Sequence, residues 1–279
     1  MMEIDHSAAS AFRECPYKYY EQYMRNGTGI ERIKPKDEPY GPLALGSRVH
    51  ELLEEHHLFW PGVVKYLPSV DEALEAESQW IMAAYRKQYP EEDFEVLDVE
   101  RVFRVQLPNS EHILTGKMDL FVQMLDSGLY RIMDHKTEKR GSKSNTPQKW
   151  AARDQASLYL WAAAKIYGEP IDRFVVNVLT RPSPAGQIGP TFPERQLLER
   201  SEHQIEIAIR DIIWTADDIE RTRKVFGKGE WPSDREKCIG AFGQCPYYEI
   251  HTYGVSDELL AHHYEPKQPY LQIEGVKLI

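Results

Sequence analysis

The sequence predicts an α/β protein, and three observations carry that prediction. Apolar residues recur at helical spacing through the first ninety positions, strict alternation takes over in three stretches between Glu95 and Lys136, and helical spacing returns after Pro147. With 279 residues, 42% of them hydrophobic and 11% aromatic, the chain can bury a real core. It shows no repeat, heptad or low-complexity tract, which excludes collagenous, coiled-coil and largely disordered proteins. One elaborated domain over residues 1–279 is expected, with a helical part at 1–90, the sheet and its following helix at 91–185, and a C-terminal helix and Cys segment at 186–279.

Ser7 to Met24 reads as a helix with Ser7 or Ser10 as N-cap and Tyr17, Tyr19, Tyr20 and Tyr23 clustered near its end. Asn26 to Pro42, rich in Gly, Pro and charge, reads as a loop. Leu43 to Trp60 resumes a 3.6-residue apolar period through Leu45, Val49, Leu52 and Leu53, and Ser69 to Gln88 reads as a third helix. Glu95–Leu107, Ile113–Leu125 and Leu129–Lys136 alternate with Val, Ile, Phe, Leu and Tyr, as three antiparallel strands would. Asp126-Ser127-Gly128 is turn chemistry and makes the last two a hairpin. Pro147 to Tyr167 follows as a helix ended by Gly168, then a Val-rich strand at Arg173–Thr180 and a long polar helix from about Pro193 to Val225. Trp231 to Ile279 carries two cysteines, several prolines and aromatics, and little periodicity.

No stretch approaches the roughly 18 to 20 apolar residues of a membrane span, and Met1 to Phe12 lacks the basic and apolar regions of a secretory signal, so no membrane partner and a cytoplasmic location are expected. The 44 acidic against 34 basic residues give a formal charge of -10, which argues against diffuse coating of nucleic acid. A local basic groove is still compatible with that total, because screening over about 10 Å makes patches matter more than sums. Arg131 to Arg153 is such a patch. It holds Arg131, Lys136, Lys139, Arg140, Lys143, Lys149 and Arg153 against only Asp134 and Glu138. Lys139, Arg140, Lys143, Lys149 and Arg153 are therefore candidate contacts to a phosphate backbone, with a solvated loop as the alternative.

The hairpin carries the most informative chemistry: Gly116-Lys117-Met118-Asp119 on one strand and Ile132-Met133-Asp134-His135-Lys136-Thr137 on the next. Asp134 and Lys136 leave the same face of their strand. A two-residue Ser127-Gly128 loop would pair Asp119 opposite Lys136 and add it to that face, whereas a three-residue loop would send it to the other side. Two carboxylates beside an ammonium suit Mg²⁺ or Mn²⁺ and a reaction that builds charge on a phosphate. A solvated face with a cross-strand ion pair is the competing reading. Gln155 and Tyr159, four apart on the next helix, share a face and either orient a phosphate or a catalytic lysine or form a packing pair. His50, four residues before Glu54, is a metal ligand backed by Glu54 or an ordinary boundary histidine, and Glu100 offers a further carboxylate or a surface ion pair.

Three cysteines, an odd number in a chain without an export signal, make a disulfide framework a poor reading. Cys238 and Cys245 with His251 give C-x6-C-P-Y-x3-H, and with Cys15 they could supply a three-Cys, one-His set for an iron–sulfur cluster or zinc; plain burial is the alternative.

Taken in order, these pieces resemble the RecB-type branch of the PD-(D/E)XK nuclease superfamily, which includes AddB nuclease domains and CRISPR-adaptation exonucleases. The matching segments are Cys15-Pro16-Tyr17, Gly46-Ser47-Arg48-Val49-His50 through Glu54, Gly116 to Asp119, Asp134-His135-Lys136-Thr137 and Gln155 through Tyr159, spanning about residues 7 to 167 with an extension to His251. The resemblance implies a central mixed sheet flanked by helices, capped by the N-terminal helices and the C-terminal Cys segment. It implies a metal-dependent DNA exonuclease, with His50, Asp119, Asp134 and the His135 carbonyl as ligands of Mg²⁺ or Mn²⁺. Lys136 would position or activate the attacking water and stabilise the transition state, and Gln155 and Tyr159 would contact substrate near the active site. Members with the N-terminal Cys often carry three further cysteines and a [4Fe-4S] cluster; here His251 stands at the expected last position. A second implied reading is a non-catalytic DNA-binding recombination partner or a prespacer-processing subunit of a larger complex. The sequence has no phosphate-binding G-x-x-x-x-G-K-[ST], so any unwinding would fall to a helicase or recombination partner.

Overall fold

A computed structural model describes residues 1–33, 40–58, 66–139, 147–182, 188–240, 243–268, 273 and 275–279. In chain order its first elements are β1 (Glu3–Ile4), α1 (His6–Glu14), α2 (Pro16–Tyr23), β2 (Ile30–Arg32), α3 (Pro42–His57) and α4 (Glu72–Gln88). The middle of the chain forms β3 (Phe94–Gln106), β4 (Ile113–Met124), β5 (Tyr130–Glu138), α5 (Pro147–Ala151), α6 (Asp154–Tyr167) and β6 (Ile171–Thr180). The last third forms β7 (Gln196–Leu198), α7 (Glu202–Phe226), β8 (Ile239–Gly240), β9 (Gly243–Gln244), α8 (Tyr248–Tyr253), α9 (Asp257–His263) and β10 (Tyr264–Pro266). The chain divides into two compact units. One is Met1–Asp37, Arg104–Gly116 and Glu206–Leu278; the other is Glu38–Phe103 and Lys117–Ile205 with Ile279.

The unit that begins at Met1 starts with two helices where the periodicity predicts one. A residue before proline is driven out of the helical region, and Cys15 accordingly lies extended at φ -164° and ψ 113° while Pro16 opens α2 at its first turn. Asp5, rather than Ser7 or Ser10, caps α1, its carboxylate accepting from the Ala8 N–H at 2.8 Å. Cys15, Tyr17, Ile30, Tyr247, Ile250 and Tyr264 form this unit's aromatic core. The Tyr17 N–H donates to the Pro232 carbonyl and the Tyr247 hydroxyl to the Ile30 carbonyl, both at 2.8 Å. β2 pairs antiparallel with β10, and β1 runs parallel to the first residues of β4.

The other unit is built on a mixed sheet. β4 and β5 are antiparallel, β5 and β6 parallel, β6 and β7 antiparallel, and β3 also pairs with β4. Alternation along the strands sorts its two faces. Leu120, Val122, Met133 and Val175 bury one face with Phe94, and on that side Leu179 joins the core of α3 and α4 through Leu45, Leu52, Ile81, Met82 and Tyr85. On the other face Phe121 stacks on Tyr167 of α6, and Phe174 packs against Trp150 and Tyr159.

Two expected helices differ here, one divided and one shortened. The helix expected from Pro147 is interrupted between α5 and α6, and Arg200 bridges the interruption by donating to the Trp150 and Arg153 carbonyls and to Ser157 Oγ at 2.9, 3.3 and 3.0 Å. The helix expected from Pro193 begins only at Glu202, because Gln196–Leu198 pairs with the edge of β6 as β7. Gly168 ends α6 in the left-handed conformation at φ 72°, as a C-terminal glycine should.

Gly29 is the described glycine whose replacement would approach backbone most closely. At φ 84°, an added Cβ would fall 2.1 Å from the Gln22 carbonyl oxygen. Gly29→Ala is expected to destabilise the protein by more than about 1 kcal/mol, read as a lowered thermal midpoint.

Candidate active site

The candidate site lies where β4 and β5 part. Their ladder runs from Gln123↔Tyr130 to Leu120↔Met133, whereas β5 stays paired with β6 as far as Glu138↔Thr180. Beyond Met133 the polar groups of His135 on that edge need other partners. Its N–H donates to Asp119 Oδ2 at 2.7 Å, and its carbonyl oxygen lies 3.0 Å from His50 Nε2. Continuing the register by one step sets Asp119 opposite Asp134, not opposite Lys136. The connection between the strands, Leu125 to Leu129, is longer than a Ser127-Gly128 loop. The shift is by two residues, so Asp119 keeps the face of Asp134 and Lys136.

Around this point the side chains converge. Lys136 Nζ is 2.6 Å from Asp134 Oδ2, and the Gln155 amide donates to Asp134 Oδ1 at 3.5 Å. His50 Nδ1 stands 3.5 Å from Asp119 Oδ2 and 3.6 Å from Glu100 Oε1, and Lys117 forms an ion pair with Glu100. Among the described residues, His50, Glu100 and Asp119 are the group of His, Cys, Asp or Glu whose ligand atoms all fall within 4.8 Å of one another. Glu100 has left-handed backbone at φ 49°, uncommon for a residue with a side chain, and this interrupts the extended run of β3 beside His50. Glu54 accepts a hydrogen bond from the Tyr66 hydroxyl at 2.5 Å.

The remaining predicted residues are placed as follows. Tyr159 is buried with its ring edge-on to Phe103 and Phe174. The Arg153 guanidinium lies 4.6 Å from the centre of the buried Trp150 ring, and Lys136 Nζ lies 5.7 Å from the same ring. Lys139 and Lys149 are exposed, and Arg140 and Lys143 lie outside the described residues.

Burial sets the electrostatics. Asp119 is 7% and Asp134 3% exposed. Desolvation, with the nearby Asp134 and Glu100 carboxylates, pushes Asp119 up to about 6 against the pull of His50 and Lys136. Burial alone would lower His50, but Asp119 and the hydrogen bond with Glu100 outweigh it and hold the imidazole above its ordinary value. Burial would likewise raise Glu100, and contacts with His50 and Lys117 hold it below the usual carboxylate range. On the opposite face of β5, burial holds His135 well below its ordinary value and takes His57 down to about 3. One imidazole, two buried carboxylates and the half-buried Glu100, crowded enough to hold a proton near pH 6, are a donor set of the kind that Mg²⁺ or Mn²⁺ neutralises.

The cysteines gather in the other unit. Cys15, Cys238, Cys245 and His251 line one small pocket with Tyr17 and Tyr247. Cys238 Sγ is 3.4 Å from His251 Nδ1, His251 stacks on Tyr17 at 4.5 Å, and the Asp234 N–H points at Cys15 Sγ from 3.4 Å. All three cysteines are free thiols. Burial, then the neighbouring Cys15, raises Cys238, and burial also raises Cys245. The four ligand atoms do not all fall within 4.8 Å. A single zinc with 2.3 Å bonds to sulfur would hold its ligands about 3.8 Å apart, so the pocket is looser than a closed zinc site.

The chain matches the PD-(D/E)XK nuclease superfamily over residues 4–250 and belongs to it. Membership places it among nucleases that use divalent metal, within the hydrolases. No curated protein is matched by the sequence. Among solved structures, one titled "Crystal structure of SSO0001" is similar at 13% identity and a TM-score of 0.33, over 80% of this chain and 90% of that one. No helix among the described residues is long and apolar enough to cross a membrane.

Of the groups at the site, Lys117 has its signal in Gly116-Lys117-Met118-Asp119, a motif that does not itself pair it with Glu100. Trp150 has no sequence signal beyond being one aromatic on an expected helix. The Asp119 carboxyl, raised in the folded state, is protonated below its ordinary value of 3.8 in both states and ionised above about 6 in both, so without metal it lowers stability as pH rises between those values. Metal-free Asp119→Asn should therefore exceed wild type in stability by roughly 2 kcal/mol at pH 8 and match it below about pH 4, measured by denaturant unfolding at both pH values.

Proposed function

We propose that this protein is a Mg²⁺- or Mn²⁺-dependent DNA exonuclease of the RecB-type branch, hydrolysing phosphodiester bonds in DNA recombination, repair or processing. The observation that carries the proposal is the convergence of His50, Asp119, Asp134, the His135 carbonyl and Lys136 at the parting of β4 and β5. Both units serve one nuclease domain spanning residues 1–279. Within it His50, Asp119, Asp134 and the His135 carbonyl hold the cation, with Glu100 beside them. Once bound, the cation supplies Lewis-acid charge to a phosphate oxygen and lowers the pKa of water.

The chain's own residues do the rest. Asp134 fixes the Lys136 ammonium at 2.6 Å and Gln155 steadies the other Asp134 oxygen. Lys136 then presents positive charge to the phosphate oxygens as they gain charge in the transition state and orients the attacking water. Tyr159 supports the helix face that carries Gln155 toward substrate. Lys139, Arg140, Lys143, Lys149 and Arg153 track the DNA backbone, and the local basic run compensates for the acidic total. The pocket of Cys15, Cys238, Cys245 and His251 would hold a [4Fe-4S] cluster or zinc, since three thiols and an imidazole line one small pocket. On this reading the protein is cytoplasmic, and any unwinding falls to a helicase or recombination partner, since the sequence has no phosphate-binding G-x-x-x-x-G-K-[ST]. The rival, a DNA-binding partner without turnover, is disfavoured by the intact Asp119, Asp134 and Lys136, because a degenerate site loses such groups first.

End-labelled single- and double-stranded DNA incubated with Mg²⁺ or Mn²⁺ tests the proposal. Wild type should release label progressively from one end, and Lys136→Ala and Asp134→Asn should each lose at least roughly 10²- to 10³-fold in rate. Retained binding with no cleavage by wild type under either metal would select the non-catalytic partner instead. Anaerobically prepared protein should contain iron and absorb in the visible, with both lost in Cys245→Ala; colourless, iron-free protein would remove the cluster.

A further inference from the structure

The His135 ring takes no part in the chemistry proposed above, yet it is held on three sides. It is 2% exposed and lies on the face of β5 opposite to Asp134 and Lys136. Asn177, its register partner on β6, donates Nδ2 to the ring Nδ1 at 3.0 Å. His57 stacks on it nearly parallel, at 11° and 5.8 Å between centres, and Tyr85 meets it edge-on at 6.4 Å.

Two features make this more than packing. First, His57 follows His50 by seven residues on α3, two turns along the same side of the helix. The helix therefore touches residue 135 twice, with His50 at its carbonyl and His57 at its ring. Second, Asn177 is fully buried in the Val-rich run Phe174-Val175-Val176-Asn177-Val178, and its Oδ1 has no hydrogen-bond partner among the described residues. A leucine there would avoid that desolvation cost. What the amide provides is a directional hold on the ring.

We infer that Asn177 and His57 are positioning residues that clamp the His135 side chain and thereby fix the His135 peptide, on which the spacing of His50 and Asp119 for cation binding depends. Every link in the chain is short: Asn177 to the ring at 3.0 Å, the His135 N–H to Asp119 at 2.7 Å, and the His135 carbonyl to His50 at 3.0 Å. The inference rests on the metal-site reading of the proposed function and extends it to the opposite face of the sheet.

Mn²⁺ affinity, measured by calorimetry on the full chain without DNA, tests it in wild type, Asn177→Leu, His50→Ala and the double variant. Asn177→Leu should weaken Mn²⁺ binding roughly 10-fold, the scale at which groups behind a ligand act. In the His50→Ala background the same substitution should cost clearly less, because part of what it misplaces is already gone. Equal losses in the two backgrounds, as general loosening of the fold would give, or an unchanged affinity in Asn177→Leu, would overturn the clamp. His57→Ala in both backgrounds carries the same comparison should Asn177→Leu fail to fold. Wild type that binds no Mn²⁺ would remove the metal site itself, and the clamp with it.

Discussion

The peptide group of His135 is the constraint on which the candidate site depends. A strand inside a sheet normally spends its N–H and carbonyl on its neighbours, and β5 does so with β6 along its length. On the β4 side the ladder stops at Met133, and the next groups on that edge are satisfied by side chains, Asp119 for the N–H and His50 for the carbonyl. Ending the ladder one step early therefore draws an acidic side chain of β4 and an imidazole of α3 to a single point of the backbone. The site grows out of an interrupted sheet, which gives it a rigid floor.

That floor carries an electrostatic burden. Asp119 and Asp134 are both nearly inaccessible, and Glu100, left-handed in β3, adds a third carboxylate beside His50. Lys117 engages Glu100 and Lys136 engages Asp134, and His50 lies between Glu100 and Asp119. A protein that sought stability alone would gain from replacing such a cluster with apolar residues, since buried ions seldom recover their desolvation. Charge held together at this cost is characteristic of sites arranged for a cation and a phosphate. Membership of a nuclease superfamily agrees with that arrangement.

Much of this was legible in the sequence. Alternation located the three long strands to within two residues at either end, and the spacing of Asp134 and Lys136 put them on one face as soon as a strand was assigned. Helix ends were less legible. The tyrosine-rich helix and the helix after the basic run both divide where a local rule competes with periodicity, at Cys15-Pro16 in the first and across Ala152 and Arg153 in the second. The strand Gln196–Leu198 was hidden because three residues carry no period, and only the open edge of β6 makes them a strand.

The sequence by itself determined the α/β class, the hairpin and the identity of the groups on it, because side-chain direction in a strand and the chemistry of Asp, His and Lys are local properties. Tertiary structure decided which of those groups meet. Register placed Asp119 opposite Asp134, since loop length cannot be read from turn residues alone. Left-handed Glu100 set a carboxylate beside His50, and the seven-residue step from His50 to His57 tied one helix to both the carbonyl and the ring of His135. These are contacts between residues tens of positions apart, fixed by packing that no single segment specifies.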